Sequence, residues 1–240
     1  MPDILLQHWT WPDGLALLWM LLLWFVYGRF ADFLPPDDVA PRNLNQMMHH
    51  LRRSWMRRMI DRHDRIVDSG LTGHSVNSTT FFASTSMLII AGLLGVLGNA
   101  AAAHAVIQSF GFVMRADIVM FEIKVLGLVI LFIVAFYKFT WALRQFNFAC
   151  TLIGAAPLAP AEPATRDRFA DHAARVMSLA VVSFNGGIRA FYFAMAWLGW
   201  FIHPVLFAMA TGIVVLVLLK RQLKSRSQQS VAEYYDASWR

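Results

Sequence analysis

The chain reads as an all-α polytopic membrane protein of about five transmembrane helices, with a cytoplasmic amphipathic helix and helical extensions. Two observations carry that reading: five long apolar runs, and Lys and Arg residues gathered around them almost entirely on what becomes one side. The runs cover 14–30, 81–103, 118–137, 178–200 and 204–219, and most approach the roughly 20 residues that cross a hydrocarbon layer. Helices are the expected form, because an open run of strands leaves backbone groups unpaired in lipid.

The charges orient the spans. With the N-terminus outside, Arg29 through Arg65 fall to the first inner segment, Lys138, Arg144, Arg166, Arg168 and Arg175 to the second, and Lys220, Arg221, Lys224, Arg226 and Arg240 to the tail. The outer connections keep only Arg115, so the positive-inside rule gives N-out, C-in in a bacterial inner membrane. The net charge of +6 reflects this asymmetry and points to lipid headgroups as partners. No zinc-ligand spacing or aromatic nucleic-acid module accompanies it, so no nucleic-acid partner is expected.

The first run lacks a basic leader and a small-residue cleavage pattern, and is expected to stay as a helix. Phe33-Leu34-Pro35-Pro36-Asp37-Asp38 marks a break. A helix over 43–69 is expected next, with Leu44, Met48, Leu51, Trp55, Met59 and Ile66 near one face and Arg53, Arg57, Asp61 and Asp64 on much of the other. Its expected place is on the membrane surface or across the inner ends of the spans. In the second span Ala91, Gly95 and Asn99 lie four apart and Gly92, Gly95 and Gly98 three apart. The fourth repeats small residues at Gly186, Ala190 and Ala194. Such stripes let helices approach closely, within the chain or between copies of it. The third span is expected to continue past the hydrocarbon through Lys138, Arg144, Gln145 and Asn147, and the stretch from Arg166 to Arg175 to form an inner lead-in to the fourth. The chain forms one membrane domain over 1–240.

Polar groups inside the spans carry the functional argument, since ionisable groups in hydrocarbon are expensive unless paired or hydrated. Arg189 lies near the centre of the fourth span, with Asn185 one turn earlier and Tyr192 nearly one turn later. This set reads either as an interhelical tether or as the lining of a hydrated path. Glu122 and Lys124 enter the third span from outside; Glu122 is expected within reach of Arg189, and Lys124 is expected to snorkel outward. Ser84 belongs to a polar entrance of the second span that also holds Asn77, Ser78, Thr79, Thr80 and Thr85, read as local capping or a vestibule.

Catalytic signatures are weak. Ser84 has no assigned base and Cys150 no activating partner, and His-Glu-x-x-His is absent. No catalytic residue, cofactor or metal ligand is assigned, and no enzyme activity is expected. His104 and His203 near the outer face lack a converging ligand set.

Four patches are similar to one known family. They are Asp64-Arg65-Ile66-Val67-Asp68, Thr80-Phe81-Phe82-Ala83-Ser84-Thr85, Phe139-Thr140-Trp141-Ala142-Leu143-Arg144-Gln145-Phe146-Asn147 and Phe184-Asn185-Gly186-Gly187-Ile188-Arg189-Ala190-Phe191-Tyr192-Phe193. With the later Trp200-Phe201-Ile202-His203-Pro204, they resemble the bacterial and plant membrane-protein family called domain of unknown function 599. The resemblance implies a multi-pass membrane protein and brings no catalytic residue with it.

The leading expectation is an oligomeric channel or transport protein for a small inorganic ion, with an anion favoured by Arg189 and Lys124. The alternatives are a noncatalytic membrane scaffold that binds lipid or a partner through 43–69, and an intramembrane enzyme.

Overall fold

A computed structural model describes residues 10–34, 41, 43–158 and 162–239. Among these residues every regular element is a helix: α1 (Trp11–Asp32), α2 (Leu44–Ile60), α3 (Ile66–Gly98), α4 (Ala100–Gln108), α5 (Ile118–Gly154), α6 (Pro163–Trp197), a 3-10 turn (Leu198–Phe201), α7 (Pro204–Lys224) and α8 (Arg226–Trp239). Five stretches, built on α1, α3, α5, α6 and α7, are long and apolar enough to cross a membrane. Helices α3, α5 and α6 hold 33, 37 and 35 residues. At 1.5 Å per residue they reach about 50 to 55 Å, well past a hydrocarbon layer of about 30 Å.

The expected single helix over 43–69 is two helices. Asn43 starts α2 by accepting the Gln46 N–H at 3.0 Å. The helix ends at Ile60. The Asp64 carboxylate then accepts the Ile66 N–H at 2.8 Å and opens α3. Residues 66–69 therefore belong to the helix that carries the second apolar run. That run is itself interrupted: α3 stops at Gly98, and Asn99, at φ −130° and ψ 46°, breaks the path before α4. The fourth run tightens into the 3-10 turn after Trp197. Pro204 sits at the first position of α7, where a missing N–H costs nothing. The His203 ring nitrogen caps the same turn by accepting the Val205 N–H at 3.1 Å.

The chain divides into two compact units. Among the described residues the first comprises those up to Gly28, Ser84–Phe136 and Gly187–Leu218, and the second comprises Arg29–Ala83, Tyr137–Gly186 and the residues from Leu219 onward. Helices α1, α3, α5, α6 and α7 each contribute to both. The Lys and Arg residues of the first unit are Arg115, Lys124 and Arg189; the other described ones belong to the second.

In the first unit the core is aromatic. Trp197 packs edge-on to Trp200 with centroids 4.8 Å apart, Trp200 stacks on Phe207 at 5.1 Å, and Phe121 meets Phe201 at 5.7 Å. Ala190 and Ala194, two of the three residues of the fourth run's small stripe, are 1% and 2% exposed, so this face of α6 is used for packing inside the chain.

The second unit is held by apolar contact and by ion pairs. Ala142 and Ala149 of α5 and Ala170, Ala173 and Ala174 of α6 are almost fully buried and join Met56, Met59 and Phe146 in one core. Between α2, with Asp61 at its C-terminal cap, and α6 run three pairs in antiparallel order: Arg53 with Asp171, Arg57 with Asp167 at 2.9 Å, and Asp61 with Arg166 at 2.6 Å. Residues 53, 57 and 61 are one turn apart, which is why the polar face read from the sequence zips onto a second helix. Arg65 donates to the carbonyls of Ile153, Ala156 and Pro157 at 3.3, 3.0 and 2.8 Å, closing the C-terminal end of α5. Helix α8 packs on α2, where the His50 and Tyr235 rings meet at 5.6 Å.

Candidate functional site

The polar residues singled out in the sequence occupy different surroundings. Lys124 is buried at 3% exposure, and the expected outward snorkelling does not occur. Its ammonium donates to the Trp200 carbonyl at 2.8 Å, stands 3.9 Å from Asp13 Oδ1 and lies 5.3 Å over the Trp200 ring. The cause is local: the 3-10 turn leaves the Trp200 carbonyl in need of a donor, and Asp13 in the first turn of α1 supplies the counter-charge. The Trp200 indole N–H donates to Asp13 Oδ1 at 2.6 Å, the Thr10 hydroxyl donates to Oδ2, and the Trp197 indole N–H donates to the Lys124 carbonyl at 2.9 Å. Asp13, Lys124, Trp197 and Trp200 thus form one closed polar cluster inside the first unit. The sequence reading missed Asp13 and both tryptophans; the one available signal was an acid placed at the start of an apolar helix.

Arg189 is 6% exposed, and its guanidinium carbon lies 5.7 Å from the centre of the Tyr27 ring in the same unit. Glu122 is exposed and forms no ion pair among the described residues, so the expected Glu122–Arg189 pair is not made. Ser84 is also exposed. It stands on an outward face of α3 that continues through Leu88, Ala91, Gly92, Gly95 and Gly98, all exposed, with exposed Asn99 just past the helix end. A β-carbon added at Gly92, Gly95 or Gly98 meets nothing within 4 Å. Tyr192 is half-buried on α6. Asn185 belongs to the second unit, where its amide donates to Asn45 Oδ1 at 3.5 Å, the outer limit of a hydrogen bond.

The histidines raised as weak metal candidates each have a local role. His104 Nε2 contacts the Ala116 carbonyl at 2.9 Å, and His203 caps α7. Among the described residues no group of three or more metal-ligating side chains converges.

The second unit holds a cavity of about 290 Å³ that the sequence reading did not anticipate. Helix α2 brings Arg52 and Trp55 to it, α3 brings Thr72 and Ser75, α5 brings Phe146, and α6 brings Val181. The apolar face read on α2, with Met48, Leu51 and Trp55, therefore lines a cavity. Arg52 Nη1 donates to the Ser178 hydroxyl oxygen at 3.2 Å, and that oxygen also lies 2.8 Å from His49 Nδ1. Burial lowers the Arg52 guanidinium to about 10, so it remains a cation at neutral pH. Thr72 spends its hydroxyl proton on the Asp68 carbonyl at 3.0 Å, whereas the Ser75 hydroxyl has no partner among the described residues.

A family model described as "Protein of unknown function, DUF599" matches residues 15–227. No curated protein and no solved structure matches the chain.

Proposed function

We propose that this chain, which belongs to the DUF599 family, is an oligomeric membrane protein whose copies meet along α3 and enclose a path for a small ion. The observation that carries the reading is the outward face of α3. A spanning helix that presents Ser84 together with bare glycine backbone and ends on exposed Asn99 is poorly matched to lipid, because polar groups in hydrocarbon need water or a protein partner. Close approach through Gly92, Gly95 and Gly98 supplies the partner, and Ser84 and Asn99 supply polar positions along a hydrated lining. The cationic Arg189, set over the Tyr27 ring, supports an anion as the ion. The membrane is the bacterial inner membrane, with the N-terminus outside and the basic second unit on the cytoplasmic side. No catalytic step is assigned.

A gradient-driven flux screen of the full chain in liposomes, covering protons, inorganic anions and cations, tests the reading. Flux that falls with Ser84→Val while assembly is kept supports it. A folded, oriented, oligomeric preparation that passes none of these ions overturns it. The second reading is a noncatalytic scaffold, and the closed Asp13–Lys124–Trp200 cluster favours it because those charges are spent on packing.

A further inference from the structure

The cavity of the second unit combines two properties that rarely serve packing alone. Its walls are largely apolar, from Trp55, Phe146 and Val181, yet a charged Arg52 opens onto it. The neighbouring arginines of α2 face carboxylates, Arg53 at Asp171 and Arg57 at Asp167. Arg52 instead faces only the neutral Ser178 hydroxyl, and no carboxylate among the described residues pairs with it. Asp68, tied to the Trp55 wall, takes the Trp55 indole N–H at 2.6 Å and Arg62 at 2.5 Å on its Oδ1 and does not pair with Arg52. A half-buried cation without a carboxylate partner leaves an anionic ligand to supply the counter-charge.

Arg52 spends Nη1 on Ser178, which leaves Nε and Nη2 for an anion. The Ser75 hydroxyl on the facing helix is a further donor. These donors suit a phosphate or carboxylate oxygen pair, which a guanidinium fork binds in plane. The remaining wall offers an apolar surface for hydrocarbon. A volume of about 290 Å³ takes a headgroup and its first methylenes, with the rest of the chain leaving through the cavity's opening. Val181 stands within the apolar run 178–200, the level at which the fourth span begins.

We propose that this cavity is a binding site for a singly charged anionic amphiphile, with its acidic headgroup on Arg52 and Ser75 and its chain against Trp55, Phe146 and Val181. The site is independent of the ion path along α3, and its test reads retained lipid, so the two readings fail separately.

Native mass spectrometry of the delipidated full chain in mild detergent, offered equal amounts of dioleoyl phosphatidylglycerol and dioleoyl phosphatidylcholine, tests the proposal. The expected result is one retained phosphatidylglycerol per chain in preference to phosphatidylcholine. Arg52→Gln is expected to weaken retention by about tenfold or more, the loss of one charge-assisted hydrogen-bonded contact. Val181→Phe, which keeps the charge and narrows the cavity, is expected to weaken it as well. Arg144→Gln, at an exposed position on α5, is expected to leave it unchanged. Thermal melts establish that each variant is folded. Equal retention by wild type, Arg52→Gln and Val181→Phe overturns the proposal. So does an Arg52-dependent site that inorganic phosphate fills while neither lipid is retained, because the chain then plays no part.

Discussion

Trp197 of α6 lies directly against Gly127 of α5: three atoms of the indole ring are within 3.0 Å of the place where a β-carbon on Gly127 would stand. The ring has little room to retreat, because its N–H is bonded to the Lys124 carbonyl and its faces meet Trp200 and Phe207. Gly127→Ala is therefore expected to destabilise the protein by about 1 to 3 kcal/mol through overpacking. Gly70→Ala, at an exposed position of α3 where nothing lies within 4 Å, is expected not to destabilise it. Thermal unfolding of both variants in one detergent checks the contrast, and equal melting would show that Trp197 can move aside.

The Asp13–Lys124 pair supports a second expectation. Both side chains are nearly inaccessible, so removing one partner strands the other charge. Lys124→Met is expected to cost about 3 to 5 kcal/mol, and the double variant Asp13→Asn with Lys124→Met clearly less than the sum of the two single losses. A double-mutant cycle in mixed-micelle unfolding measures it. A near-neutral Lys124→Met would mean that the ammonium escapes to the surface after all.

Helices and spans were legible because apolar length is a property of consecutive residues: the start of the third run at Ile118 and of the last at Pro204 coincide with α5 and α7. The breaks at Ile60 and Asn99 were not, since both lie inside patterns whose periodicity continues across them. The polar positions were found, but their partners were not. Lys124 gave no sign that Asp13 and the Trp200 carbonyl, 111 and 76 positions away, would enclose it, because that depends on how α1, α5 and α6 pack. The Arg52 cavity was equally hidden: four helices contribute to it, and periodicity reveals only one face at a time.

Arg65 closes the C-terminal end of α5 with three carbonyl contacts, two of them at 3.0 Å or less. Arg65→Ala leaves the Ile153, Ala156 and Pro157 carbonyls without this donor and is expected to cost about 1 to 3 kcal/mol. Hydrogen exchange should then rise at the end of α5 first, with Arg65→Lys giving partial protection. Unchanged exchange there would mean that water replaces the guanidinium without loss.

The proposed orientation rests on the charges of the second unit and is testable on a Cys150→Ser background. A cysteine at exposed Ser109, just past α4, is expected to react with a membrane-impermeant reagent in intact cells, and one at exposed Ser230 in α8 only after lysis. The reverse pattern would place the basic unit outside and remove the basis for the proposed topology.

Self-association along α3 gives the most discriminating expectation, because the face is specified residue by residue. Gly92, Gly95 and Gly98 recur every three positions, and Ser84 and Ala91 extend the same exposed side of the helix. The fourth run's stripe is different: Ala190 and Ala194 are already buried within the chain, whereas the glycines of α3 stay exposed. On the Cys150→Ser background, Ser84→Cys is expected to form disulfide-linked dimers in native membranes under mild oxidation. Gly95→Leu should lower that yield several-fold by holding the backbones apart, while Ala190→Leu should instead destabilise the single chain through overpacking. If Ser84→Cys cross-links no better than a cysteine at exposed Leu216, or if Gly95→Leu leaves the yield untouched, α3 is not where copies meet.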